Sequence, residues 1–216
     1  MKIIFSFDDG AQDDIKVARM LKRYGFKGIF FIPCNSDLNE EEIKWLVDEG
    51  HEVGGHTVSH PQDMKKLSYE EQMAEIDQNA DWLEMITGKR PKWFCYPRGK
   101  YDANTVMAVE ESSYKYARTT LVGNYKKPMD NYRIATSVHI HPKRAEYNGK
   151  TWLSFAYNML NKASKEPDGV FHVWGHSWEI NEFGIWNELE ELLKRVYGLK
   201  RNKNIGSNNN SDKAKT

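Results

Sequence analysis

The sequence predicts an α/β domain with a largely parallel sheet of about seven strands, closed or nearly closed into a barrel. Three observations lead there. Short apolar runs without alternation, such as Ile3-Ile4-Phe5 and Gly28 to Ile32, read as strands buried on both faces, the usual appearance of parallel strands. Segments of helical period separate these runs, so strand and helix alternate along the chain. A length of 216 residues suits one domain with a single substantial core. An open doubly wound sheet is the alternative arrangement.

The first strand starts at Ile3 and stops at the turn Ser6-Phe7-Asp8-Asp9-Gly10. Residues 13 to 24 put Ile15, Val17, Ala18, Met20 and Leu21 on a helical period, and Gly25 ends that helix. The second strand, Gly28 to Ile32, is closed by Pro33. The next helix takes Asn39 as N-cap and runs through Ile43, Leu46 and Val47 to Gly50. A short third strand at Glu52 to Gly54 leads into Gly55-His56. Ser68 and Glu71 have capping-box spacing and open a long helix through Met73, Ile76, Ala80, Leu83 and Ile86, ended by Gly88. Trp93 to Cys95 is the fourth strand. A helix at about 103–111 follows, then strands near 116–118 and 134–140, a helix around 152–163, a strand over Gly169 to Trp174 and an amphipathic helix over about 187–197. The domain is expected over residues 1–198, with a disordered polar tail rich in Asn, Ser and Lys over 199–216.

Lys plus Arg and Asp plus Glu both number 31, and the domain carries no basic run interleaved with aromatics, so no nucleic-acid partner is expected. No apolar stretch approaches the roughly 18 to 20 residues of a membrane span. The first residues lack a secretory pattern, which leads to the expectation of a cytoplasmic protein. Cys34 and Cys95 form neither a metal-binding spacing nor a disulfide framework and are expected free.

Asp8-Asp9-Gly10 stands where the first strand ends, and C-terminal strand ends carry the active site in parallel α/β architectures. Two adjacent carboxylates after an apolar strand are costly unless a cation neutralises them. In His56-Thr57-Val58-Ser59-His60, two imidazoles four residues apart would share one face of a helical turn and grip one metal ion at the same rim. Thr57 occupies the place of the basic Glu in the zinc peptidase motif, which excludes that class. With one aspartate completing the ligand set, three protein ligands leave open positions for water and substrate. The second aspartate is then free to act as base.

On these two motifs and the spacing between them, the chain resembles the polysaccharide deacetylases with NodB homology, carbohydrate esterase family 4, over about residues 2 to 197. The resemblance implies a distorted (β/α) barrel. By position it makes Asp8 the catalytic base and Asp9, His56 and His60 the ligands of a divalent metal, zinc or similar. It also implies a carbohydrate substrate containing N-acetylglucosamine, from which the N-acetyl group is removed.

The family's third motif carries an arginine that orients the base. The matching stretch, Phe94-Cys95-Tyr96-Pro97-Arg98-Gly99, has Cys95 there, leaving Arg98, Arg118 or Arg133 to reach Asp8. The same turn is expected to line the oxyanion site through Tyr96 and the backbone N–H of Arg98. The last motif, a strand ending in the histidine that protonates the leaving amine, is matched by Val170 to His176. Period two puts His172, Trp174 and His176 on one face. His176, at the strand end, is expected as the acid, with His172 as the fallback. Trp174 and Trp178 could stack on a sugar ring, and His139 and His141 are expected at the rim. Asp130 is the nearest match to a carboxylate supporting the acid. Two other readings fit part of the pattern: a glycan-binding member without catalysis, motivated by Cys95, and a non-haem iron oxygenase, motivated by two histidines and one carboxylate.

Overall fold

A computed structural model of the protein describes residues 1–211, with side chains through Arg201. Its seven strands are β1 (Lys2–Asp8), β2 (Gly28–Ile32), β3 (Glu52–Gly55), β4 (Trp93–Cys95), β5 (Tyr116–Arg118), β6 (Val138–His139) and β7 (Val170–His176). They pair in the order β5-β4-β3-β2-β1-β7-β6, all parallel. The helices are α1 (Asp14–Arg23), α2 (Glu40–Asp48), α3 (Tyr69–Thr87), α4 (Ala103–Glu111), α5 (Trp152–Lys165), α6 (Ser177–Glu182) and α7 (Trp186–Ser211). The tail expected over 199–216 begins within α7, and residues 212–216 lie outside the described residues.

The strand expected over 134–140 divides its pairing. Ile134 bridges to Arg118 at the end of β5, whereas Val138 and His139 pair with Val173 and Trp174 of β7. One short segment therefore reaches both flanks of the sheet and curls it into a distorted barrel. Asn39 caps α2 and Ser68 opens α3 in a capping box as expected, the cap at Asn39 proving to be a capping box with Glu42 as well, and Gly88 ends α3 in the left-handed region at φ 71°. The short helix α6 carries no periodic signal and was not expected.

Period two along each strand divides the side chains between two faces. Phe5, Phe7, Phe30, Ile32, Phe171 and Val173 pack outward under the helices, while Ile4, Ile29, Phe31, Trp93, Cys95, Ile134 and Val170 fill the barrel interior. Gly54 and Gly55 keep β3 close to its neighbours. A Cβ on Gly54 would come within 2.5 Å of Phe31, and one on Gly55 within 2.0 Å of the Tyr114 hydroxyl. The interior layer nearest the C-terminal strand ends consists of Asp8, Phe31, His56, Cys95, Arg118, Trp174 and His176, and this layer is the floor of the site.

His172 sits one layer deeper. It is fully buried, its Nε2 lies 2.9 Å from the Ser6 hydroxyl, and its ring meets Trp93 edge-on. It is a core residue rather than the alternative acid. Burial, with help from the positive charges of Arg118 and Lys2, holds it well below the ordinary imidazole range. In the unfolded chain this ring takes up a proton near pH 6.5, and in the folded protein it stays neutral far lower. Its stability contribution is therefore present above pH 6.5 and is lost as the pH falls below it, at up to about 1.4 kcal/mol per pH unit. Urea titrations should show that His172→Gln flattens the decline in stability between pH 6.5 and 5. An unchanged slope would place the acid sensitivity elsewhere.

Candidate active site

Asp8 and Asp9 follow each other at the end of β1 but point to different partners. Asp8 is in register with Phe31 on one side and His176 on the other, so its side chain faces the barrel interior and is almost fully buried. Asp9 and Gly10 both adopt left-handed backbone, at φ 78° and 63°, which turns the chain sharply and leaves the Asp9 carboxylate at the rim. A side chain at Gly10 would strike Ser36.

Arg118 answers the absence of an arginine at position 95. Cys95 on β4 and Arg118 on β5 are register partners, and Arg118 reaches past the small thiol to pair with Asp8 Oδ1. The guanidinium is completely buried, with Phe31 and Trp174 rings 5.2 and 4.4 Å from its centre. Burial pushes the Cys95 thiol well above its ordinary range, so it stays protonated and lies 3.6 Å from Asp8 Oδ2 as a weak donor. The base candidate is thus held at both oxygens. Arg133 instead pairs with Asp130 on the surface, which removes both from the site.

His56 and His60 do converge, though not on a helical turn. Thr57 and His60 are left-handed at φ 70° and 52°, and the segment is a tight loop. Glu75 of α3 accepts from the N–H groups of Val58 and Ser59 at 2.9 and 2.8 Å, and Thr57 Oγ1 accepts from the His60 N–H at 3.1 Å. Asn79, also on α3, accepts from the His56 N–H at 2.9 Å and donates to the Ile32 carbonyl at 3.0 Å, tying the ends of β2 and β3 together. His56 Nδ1 lies 2.8 Å from the Cys95 carbonyl, which fixes the hydrogen on that nitrogen and frees Nε2.

His56 Nε2 and His60 Nε2 each lie 3.5 Å from Asp9 Oδ1. That separation is longer than the about 2.9 Å of a good hydrogen bond, yet suits donors around one ion with bonds of about 2.0 to 2.2 Å. Burial and the neighbouring His56 push His60 down to about 4, so its imidazole is neutral and able to ligate near pH 7. Burial raises the Asp9 carboxyl, but the neighbouring His56 and His176 rings, with the Trp178 N–H, outweigh it and keep Asp9 ionised. These residues could hold a divalent cation.

The acid candidate lies opposite. His176 Nε2 is 3.9 Å from Asp8 Oδ2 and 3.8 Å from Asp9 Oδ2, while its Nδ1 is 2.6 Å from Glu179 Oε2. Burial disfavours the imidazolium, but Glu179, Asp8 and Asp9 together raise His176 above its ordinary value. Sequence reading passed over Glu179. The available signal was its place three residues after His176, one turn into α6.

Other expectations change. Tyr96 faces outward: its hydroxyl donates to the Tyr132 carbonyl at 2.8 Å and its N–H to the Arg118 carbonyl at 3.3 Å, so neither group serves an oxyanion. Trp174 is buried between Arg118 and His139 and offers no face to a sugar. Trp178, 42% exposed and donating to Asp9 Oδ2 at 3.1 Å, is the aromatic at the mouth. His139 is buried rather than at the rim. His141, half-buried, flanks it with its Nε2 3.8 Å from Glu179 Oε1. Arg98 is exposed on the turn after β4, with left-handed φ of 56°.

Known proteins resemble this chain in sequence or in fold. A peptidoglycan-N-acetylglucosamine deacetylase of Bacillus cereus is 28% identical over 116 residues, 52% of this chain and 42% of its own length. The peptidoglycan-N-acetylmuramic acid deacetylase PdaA of Bacillus subtilis is 27% identical over 52% of this chain and 44% of its own. The chain therefore spans less than half of either relative. Among solved structures, a family 4 carbohydrate esterase from Streptomyces lividans superposes with a TM-score of 0.63 at 17% identity, covering 91% of this chain and 89% of that one. A family 4 pseudoenzyme from Bacillus anthracis superposes at 0.61 and 16% identity, covering 90% and 61%. Residues 1–117, from β1 into β5, match the family profile described as polysaccharide deacetylase, and the chain belongs to that family.

Proposed function

We propose that this chain is a metal-dependent hydrolase that removes N-acetyl groups from N-acetylglucosamine-containing carbohydrate. One observation carries the reading: the donor set Asp9, His56 and His60 lies between two separately supported proton-transfer groups, Asp8 held by Arg118 and His176 held by Glu179. Zinc is the ion proposed for that donor set, because two imidazoles and one carboxylate leave positions open for water and substrate. When bound, such an ion supplies Lewis acidity toward water and toward a carbonyl oxygen. Asp8 takes the proton of the attacking water, its geometry set by Arg118 and Cys95. His176 delivers a proton from Nε2 to the departing amine as the C–N bond breaks, giving acetate and an amino sugar. The substrate class follows that of the peptidoglycan deacetylase relatives, and Trp178 at the mouth is a surface for a sugar ring.

The Asp8–Arg118 pair supports the catalytic reading over the glycan-binding one, since it holds a carboxylate in one orientation beside the donor set. Metal-loaded protein should release acetate from N-acetylglucosamine oligomers and lose that activity to a chelator. No release from a broad panel of acetylated glycans would sink the proposal. Bound iron with oxygen-dependent turnover would favour an oxygenase instead.

Asp8→Asn should lower kcat by about 10²- to 10⁴-fold yet retain the metal, whereas His60→Ala should lose both, as elemental analysis and acetate assays will report. Equal metal loss in the two variants would reverse the division of roles between the aspartates. Arg118→Met strands a buried carboxylate. It should destabilise the fold by about 3 to 5 kcal/mol in urea titrations, and a loss below 1 kcal/mol would mean that Asp8 is held by other groups.

A further inference from the structure

Glu179 serves two histidines with one oxygen. Its Oε2 lies 2.6 Å from His176 Nδ1 and 2.9 Å from His139 Nε2. Nη1 of Arg144 lies 3.2 Å from the other nitrogen of His139, Nδ1. A guanidinium only donates, so His139 Nδ1 must accept, and in the neutral ring the hydrogen then sits on Nε2 and points at Glu179. Burial pushes His139 down to about 4, against the pull of Glu179, which keeps it in that neutral form. The ring cannot turn freely. It stacks on Trp174 with centroids 3.8 Å apart and planes 6° from parallel, and Trp174 also lies against Arg118.

Held in this way, Glu179 Oε2 is presented to His176 Nδ1, and the Nε2 of His176 is left facing Asp8 and Asp9. Without His139, the carboxylate sits on a short helix beside half-buried His141, whose Nε2 is 3.8 Å from Oε1, and among the described residues no other group fixes which oxygen it offers to His176.

We propose that His139 and Arg144 are positioning residues for the leaving-group acid: the chain Arg144–His139–Glu179–His176 fixes which imidazole nitrogen of His176 faces the scissile bond. The inference rests on His176 being the proton donor of the proposed function.

Two measurements test it on the metal-loaded protein. An amide substrate needs the proton that His176 delivers, whereas p-nitrophenyl acetate expels a phenolate that does not. His139→Leu should lose at least about tenfold more kcat on N-acetylglucosamine oligomers than on the aryl ester, with KM little changed. His139→Gln should recover most of that loss, because its amide can accept from Arg144 and donate to Glu179. Arg144→Met should shift the same ratio less, and it stands in if His139→Leu fails to fold. In proton NMR, wild type and His139→Gln should show a slowly exchanging, strongly downfield His176 Nδ1 proton that His139→Leu lacks. Equal losses on both substrates, or the same downfield proton in His139→Leu, would overturn the inference. Wild type that releases no acetate from any amide would instead overturn the functional reading, and the NMR comparison would still decide the positioning claim.

Discussion

The ion pair between Asp8 and Arg118 is the constraint to which the rest of the site answers. A carboxylate and a guanidinium buried together give up strong hydration, and their attraction offsets this only when geometry and further hydrogen bonds are good. The barrel interior supplies both. Cys95 is small enough to let Arg118 cross from the neighbouring strand, Phe31 and Trp174 flank the guanidinium, and the thiol reaches the second carboxylate oxygen. Once Asp8 is fixed inward, the left-handed turn at Asp9 and Gly10 can aim the second carboxylate at His56 and His60. Of the six non-glycine residues with left-handed backbone among the described residues, four, Asp9, Thr57, His60 and Arg98, lie on this rim, as happens where a site requires side chains that regular structure would not present.

The histidines illustrate how environment divides one residue type among several tasks. Burial keeps His60 and His139 neutral, which suits the first to the proposed metal set and the second to the proposed positioning of Glu179. His176 experiences similar burial but faces Glu179, Asp8 and Asp9, and the acids win. His172, deeper and beside Arg118, is simply a neutral core ring. Groups pushed apart in this way separate donor, ligand and filler without any change of side chain.

Much of this was legible in the sequence because it depends on local patterns. Apolar runs ending in turn residues marked β1, β2 and β4, an N-cap residue marked α2, capping-box spacing marked α3, and the strand ends located Asp8, Asp9 and His56. What was not legible depends on contacts between strands. The arginine of Asp8 lies one strand over from its expected place. The His56–His60 loop is shaped by Glu75 and Asn79 of a helix later in the chain, so a spacing of four did not mean a helical turn. Tyr96 faced away because period two fixes its side once Cys95 faces in. Glu179 lies on a helix too short to show periodicity.

The interior strand β1 pairs with β2 on one side and with β7 on the other, and Ser6 meets His172 across 166 residues of chain. During synthesis β1 emerges first, and its second flank is completed only when β7 leaves the ribosome. Until then, one edge of this buried strand, together with the two carboxylates at its tip, lacks a partner. Closing so long a loop is entropically slow, and the open edge is a template for mispairing. Asp8 and His176 are register partners across that pairing, so the site is brought together no earlier than the joining of β1 to β7.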